Sequence, residues 1–209
     1  MSTPARLLGA DDPSALDLAA ASIRAGLLVA VPTETVYGLA CALTGAAVER
    51  LVAAKGRDLG KGITLLVDDL ADAARLIVTT PAAARLAGRF WPGPLSMVVP
   101  LQAGVDLPRA VTGGTRAVGL RVPDHPFTRR LARALGPLPL TSANRSGAPD
   151  SLDAAEVQAS VGRAVDLIVD GGRSPGGVPS TVVALDADGS WRVLRAGPIT
   201  DAAIARALA

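Results

Sequence analysis

Short apolar runs alternate with helical stretches along this 209-residue chain, and that alternation most narrows what it can fold into. Leu27–Val31 (LLVAV), Ile63–Val67 (ITLLV), Leu95–Val99 (LSMVV), Ala117–Val122 (AVGLRV), Leu138–Leu140 (LPL), Asp166–Asp170 (DLIVD), Ser180–Leu185 (STVVAL) and Trp191–Arg195 (WRVLR) predict strands. The first helix is expected in DDPSALDLAAASIRAG, with Asp12 as N-cap, Pro13 at the first helical position and Gly26 just past the end. AAVERLVAAK is helical to Lys55, two helices follow Val67, the second opened by Thr80 and Pro81, another starts at Pro126, and TDAAIARALA closes the chain. Neither an internal repeat nor a low-complexity linker breaks the pattern. It predicts an α/β protein: one domain over residues 1–209, built on a single open, twisted, mixed sheet with surrounding helices and a ligand cleft at the strand ends.

Composition removes several function classes. With 49% hydrophobic residues and a mean hydropathy of +0.37 the chain can bury a substantial core. Its apolar runs are nonetheless shorter than the ~18–20 residues of a membrane span. MSTPARLLGADD has no apolar segment after Arg6, so no secretory signal is expected and the protein is read as cytoplasmic. One cysteine, Cys41, allows no internal disulfide, and one histidine, His125, is too few for a zinc cluster or a histidine-based triad. A net charge of +2 gives only weak support for nucleic-acid binding.

Both lysines of the chain fall within KGRDLGKGIT, Lys55 to Thr64, while every other cation is arginine. The stretch resembles a Walker A loop but has three residues instead of four between Gly56 and Gly60, and Gly62 stands where a magnesium-binding hydroxyl belongs. Three other loops concentrate polar groups: PTETVYG (Pro32–Gly38), TSANRSG (Thr141–Gly147) and GGRSPGGVPST (Gly171–Thr181). Each reads either as a turn satisfying its own backbone or as a ligand-binding loop, and none decides alone. Trp91 in WPGP reads as core packing, His125 as shaping the entry to the helix at Pro126, and Cys41 as a small buried filler.

Taken in order, VPTETVYGLA, AAKGR, FWPGPLSMVV, VGLRVPDHP, TSANRSG, VDLIVDGG, PSTVVAL and RVLRAGPIT resemble the YrdC-like family of threonylcarbamoyl-AMP synthases, from about Val31 to Thr200. Asp58, Gly62, Ile63, Thr141 and Arg145 depart from the usual pattern. The chain is similar to a short form, without the extra C-terminal domain of longer relatives. The resemblance implies a YrdC-like fold and an enzyme, a nucleotidyltransferase, that joins L-threonine, bicarbonate or carbon dioxide, and ATP into L-threonylcarbamoyl-AMP and releases pyrophosphate. This begins threonylcarbamoyladenosine formation in tRNA. Such chemistry chiefly needs negative charge neutralised and aligned, without a histidine base or a cysteine.

By resemblance, Lys55, Arg57 and Lys61 are expected around the phosphates as catalytic and nucleotide-binding groups. Thr33, Thr35, Arg121 and Ser180 are expected at threonine and its carbamate, and Ser142, Asn144, Ser146 and Arg195 at the nucleotide. Mg2+ is expected to arrive with ATP, its protein ligands unknown, with Glu34 a candidate outer group. The tRNA threonylcarbamoyl-transferase proteins are the expected product acceptors, and weak RNA binding stays open. A non-catalytic double-stranded RNA-binding module and a carbamoyl-transfer partner domain are the alternatives. Aromatic residues at 2% speak against base stacking, and the acylphosphatase and zinc-finger segments expected beside the transfer domain are missing from this sequence.

Overall fold

A computed structural model describes residues 5–58 and 60–209. Residues 1–4, where the reading of the N-terminus begins, and Leu59 of the two-lysine loop lie outside the described residues. In chain order the first half forms β1 (Arg6–Gly9), α1 (Ala15–Arg24), β2 (Val29–Val31), β3 (Gly38–Ala40), α2 (Gly45–Lys55), β4 (Thr64–Leu66), α3 (Leu70–Ala73), α4 (Pro81–Phe90) and β5 (Leu95–Pro100). The second half forms α5 (Arg109–Thr112), β6 (Ala117–Arg121), α6 (Pro126–Leu135), β7 (Leu138–Ser142), α7 (Ala154–Val161), β8 (Leu167–Asp170), β9 (Thr181–Leu185), β10 (Trp191–Arg195) and α8 (Asp201–Leu208).

All eight expected strands form, and the strands join one mixed sheet in the order β1-β8-β2-β3-β7-β4-β6-β5-β9-β10. Helices begin where short polar side chains can accept from the first free amides. Thr44, Asp69, Thr80, Asp153 and Thr200 each cap a helix in this way. The first helix starts later than expected. Asp12 accepts from the Ser14 amide and hydroxyl at 2.8 and 2.7 Å, which closes a turn at Pro13 and delays α1 to Ala15.

The two faces of the sheet are covered unequally. On one face the alternate residues Leu65 and Val67, Val118 and Leu120, Leu95, Met97 and Val99, and Val183 and Leu185 join the larger core with the apolar sides of α2, α4, α7 and α8. On the other, α1 and α6 pack over β8, β2 and β7 through Ala19, Ile23, Phe127 and Leu131 against Val29, Val169 and Leu138. That cover reaches Leu66 and Leu140 and stops. The second face of β4, β6, β5 and β9 is left open, and it mixes small and polar residues with Leu66, Val98 and Val182. Among the described residues no helix is long and apolar enough to cross a membrane.

Candidate active site

The uncovered face is the floor of a cavity of about 510 Å³, within the range of small-molecule sites. Its floor alternates with the core: Thr64 and Leu66 from β4, Ala117, Gly119 and Arg121 from β6, Ser96 and Val98 from β5, Val182 from β9. The cavity therefore lies over this face of the sheet and is bounded by residues at strand ends: Thr33 and Thr35 follow β2, Arg121 ends β6, Ser142 ends β7, Ser180 precedes β9 and Arg195 ends β10. β4 and β6 are parallel, β5 opposes β6, and β9 follows β5. Gly119 keeps the floor deep, since a Cβ there would stand 3.2 Å from Thr64 Oγ1.

Walls come from the polar loops. Thr33 and Thr35 follow β2, and both are buried. Thr33 Oγ1 donates to the Val36 carbonyl at 2.6 Å and accepts from the Thr35 and Val36 amides, so it closes its own turn. Its hydroxyl lies 2.9 Å from Thr35 Oγ1, which also accepts from Arg121 Nη2 at 2.9 Å. Arg121 is buried, not facing solvent at a sheet edge. Its Nε donates to the Gly93 carbonyl of the WPGP turn and its Nη2 to Glu34 Oε1 at 2.6 Å, while Nη1 has no partner among the described residues. The glycine-rich loop closes on this wall. Gly176 and Gly177 donate to the carbonyls of Glu34 and Thr35, and a Cβ at Gly176 would lie 2.7 Å from the Glu34 carbonyl oxygen.

The two-lysine loop forms the opposite wall and divides in function. Arg57 lines the cavity and holds the loop's own carbonyls, Lys61 O at 3.1 Å and Gly62 O at 2.8 Å, with Thr141 Oγ1 at 3.3 Å. Lys61 also lines the cavity and is exposed, and its ammonium has no partner among the described residues. Lys55 does not reach the cavity. It is 3% exposed, and its ammonium donates to the Ser142 carbonyl, the Asn144 carbonyl at 2.5 Å and Asn144 Oδ1 at 3.0 Å. Burial, followed by the nearby Arg57 charge, pushes Lys55 down to about 8. Asn144 is buried behind the wall and also holds the Ala148 carbonyl at 2.6 Å, whereas Ser142 lines the cavity. Ser146 is exposed and away from the lining; its amide donates to the Lys55 carbonyl.

On the third side Arg195 Nε and Nη2 clasp the Ser180 carbonyl at 3.0 and 2.9 Å, and Ser180 Oγ meets Ser96 Oγ at 2.9 Å. Burial lowers the Arg195 pKa, as it does that of Arg57. The cavity thus brings together Thr33, Thr35, Arg57, Lys61, Arg121, Ser142, Ser180 and Arg195, but not Lys55, Asn144 or Ser146. Ser96, Thr64 and Gly119 are lining residues that the sequence reading missed. Their signal was alternation: in LSMVV and AVGLRV the small or polar residue falls on the face opposite the large apolar ones.

Trp91 and Cys41 pack as expected, whereas the His125 side chain makes no cap bond that would shape the helix entry. Trp91 packs against the core and donates Nε1 to the Leu95 carbonyl at 2.7 Å. His125 stands at the N-cap position of α6 without a side-chain cap bond. Cys41 is buried and free, its thiol pushed up to about 12 by burial.

Among the described residues four cations, Arg57, Lys61, Arg121 and Arg195, line the cavity and no carboxylate does. Nor do three His, Cys, Asp or Glu side chains converge anywhere among the described residues. Magnesium prefers carboxylate and water oxygen, so this donor set does not fit a resident magnesium ion. What it suits is an anion with several charges.

A family model, Sua5/YciO/YrdC, described as "Telomere recombination", matches residues 21–197. The chain belongs to this family. Within Sua5/YciO/YrdC, the threonylcarbamoyl-AMP synthase of Bacillus subtilis is 39% identical over 196 residues, covering 92% of this chain and 56% of that protein. The human threonylcarbamoyl-AMP synthase is 38% identical over 192 residues, covering 88% of this chain and 67% of its own length. The crystal structure of P. abyssi Sua5 complexed with L-threonine matches with a TM-score of 0.88 at 35% identity, over 98% of this chain and 61% of that one. This Sua5/YciO/YrdC chain therefore spans little more than half the length of the Bacillus protein.

Proposed function

We propose that the protein synthesises L-threonylcarbamoyl-AMP from L-threonine, bicarbonate or carbon dioxide, and ATP, the first step of threonylcarbamoyladenosine formation in tRNA. The observation that carries this reading is the convergence of four cations and no carboxylate on one cavity, in a chain 39% identical to a protein named for that activity. The reaction gathers a triphosphate, a carbamate and an amino-acid carboxylate in one place. Its catalyst must chiefly neutralise and align them.

In this reading the nitrogen of threonine is first carboxylated. A carbamate oxygen then attacks the α-phosphorus of ATP and the bond to the pyrophosphate oxygen breaks, so the enzyme is a nucleotidyltransferase. Lys61, with an unpartnered ammonium at the loop, and Arg57 are assigned to the phosphates, and Ser142 and Arg195 to the nucleotide. Arg121 Nη1 takes the substrate carboxylate. Thr35 and Ser180, which line the cavity, add hydroxyl contacts to the amino acid. Lys55 acts from behind, by holding the segment that carries Ser142 and Asn144, and Thr33 acts by holding Thr35. Magnesium belongs to the ATP substrate, whose phosphates supply its oxygens. The adenylate is a mixed anhydride open to hydrolysis, so a tRNA threonylcarbamoyl-transferase is the partner that consumes it.

The deciding experiment incubates purified protein with ATP, magnesium, L-threonine and fresh bicarbonate. Pyrophosphate should appear only when all are present, together with a species of the mass of threonylcarbamoyl-AMP. Pyrophosphate release that ignores threonine, or no such mass, would reject the reading.

A further inference from the structure

Glu34 lies beside the site without lining it, and its surroundings are unusual. Oε1 pairs with Arg121 Nη2 at 2.6 Å, the two side chains being 16% and 7% exposed. Oε2 is buried with no hydrogen-bond partner among the described residues. A carboxylate taken from water with only one oxygen satisfied is a poor stabilising device, because its desolvation is only partly offset. The imidazole of His125, on which the Glu34 charge acts, likewise has a buried Nδ1 without a partner among the described residues. A half-satisfied carboxylate behind the Arg121 guanidinium points to a role other than stability.

We infer that Glu34 is the positioning residue for Arg121, and that it selects which nitrogen reads the substrate carboxylate; this rests on the function proposed above. A free guanidinium offers five N–H groups and can clasp a carboxylate with a two-nitrogen fork. Here Gly93 O takes Nε, and Glu34 and Thr35 take both protons of Nη2. The fork is closed on that side. That leaves Nη1, which has no partner among the described residues, to hold the carboxylate through one nitrogen. Glu34 approaches from outside the cavity lining, and therefore orients Arg121 without competing for the ligand's place.

Glu34→Ala and Glu34→Gln test this through steady-state pyrophosphate release, with KM measured separately for threonine and ATP. Glu34→Ala should raise the threonine KM about tenfold or more, the scale of one misplaced charge-assisted contact, and move the ATP KM by less than about twofold. Glu34→Gln keeps an oxygen for Nη2 and should recover most of the loss. Equal changes in both constants, unchanged constants, or no recovery in Glu34→Gln would overturn the inference. A second readout is independent of activity: rotation about the Arg121 Cζ–Nη2 bond, from guanidinium NMR signals assigned with Arg121→Lys, should be several times faster in Glu34→Ala than in wild type. Unchanged rotation would overturn the inference even if the activity were present. Wild-type protein that makes no adenylate while this rotation still responds to Glu34→Ala would sink the proposed reaction and leave the positioning role standing.

Discussion

Lys55 and Lys61 sit six residues apart, carry the same group, and meet opposite surroundings. Lys55 is 3% exposed and gives all three ammonium protons to acceptors of the Ser142–Asn144 segment. Lys61 is exposed at the cavity with no partner among the described residues. Sequence proximity suggests a shared task, and acceptor count separates them. An ammonium whose protons are all taken inside the protein can organise a wall. One without acceptors is free to meet a ligand. The arginines show the same division: Arg57 and Arg195 are partly occupied with loop carbonyls, and Arg121 keeps one nitrogen open.

The largest effect that could break this comparison is on stability. Lys55→Met preserves volume and removes the donor, leaving the Ser142 and Asn144 carbonyls without their ammonium, while Asn144 Oδ1 keeps the Ser142 hydroxyl at 2.6 Å. At about 1–3 kcal/mol for each stranded acceptor, the loss should be about 2 kcal/mol or more. For a chain of this size that lowers Tm by about 4–8 °C. Lys61→Met, an exposed change, should stay within about 0.5 kcal/mol of wild type. Thermal denaturation of both variants decides it, and equal melting temperatures would erase the distinction.

Next in size is the effect on ATP. Lys61→Ala should raise the ATP KM about tenfold, the scale of one charge-assisted phosphate contact, and leave the threonine KM close to wild type. Because this ammonium is solvent-facing, salt should screen it. Raising ionic strength should weaken ATP use by wild type more than by Lys61→Ala. An unchanged ATP KM in the variant would return Lys61 to an ordinary solvated loop lysine.

Much of this architecture was legible. The eight apolar runs became strands because their alternation matched a sheet with one large core, and Thr80–Pro81 and Thr200 opened helices as their side chains predict. β3 was missed because nothing local in Gly38–Ala40 favours a strand; its identity comes from pairing between β2 and β7. β1 is an edge strand with Leu7 60% exposed, so no burial pattern marked it. α5 is a single turn. For α7 the signal was present in Asp153 and Glu156, three residues apart, where Asp153 caps and Glu156 accepts from the Leu152 amide. The site was legible in residue types more than in roles. Lys55, Asn144 and Thr33 carry ligand-binding chemistry, and only their acceptors and burial reveal that they hold other groups in place.

The smallest predicted effect sharpens the buried end of the comparison through pH. Lys55 is pushed down to about 8 from 10.5, so between those values the unfolded chain binds more protons than the folded one. Stability from this group must therefore rise with pH across that window, by at most about 1.4 kcal/mol per pH unit. Two other buried groups act in the opposite sense. The Cys41 thiol is raised from 9.0 to about 12, and the Tyr37 hydroxyl, also by burial, from 10.0 to about 12. For both, the folded chain holds its proton longer, and stability falls above pH 9 for Cys41 and above pH 10 for Tyr37. Wild-type Tm should accordingly climb by a few degrees at most from pH 8 to 9 and then level or turn down. Cys41→Ala removes the first descending contribution, so its climb should continue toward pH 10. The rise can be read from Tm against pH in both proteins, against a reference slope at pH 6.5–7.5 where Lys55 is protonated in both states. A Cys41→Ala curve that is flat or falling between pH 8 and 10 would mean that Lys55 keeps its proton when folded, and that three acceptors outweigh burial at this ammonium.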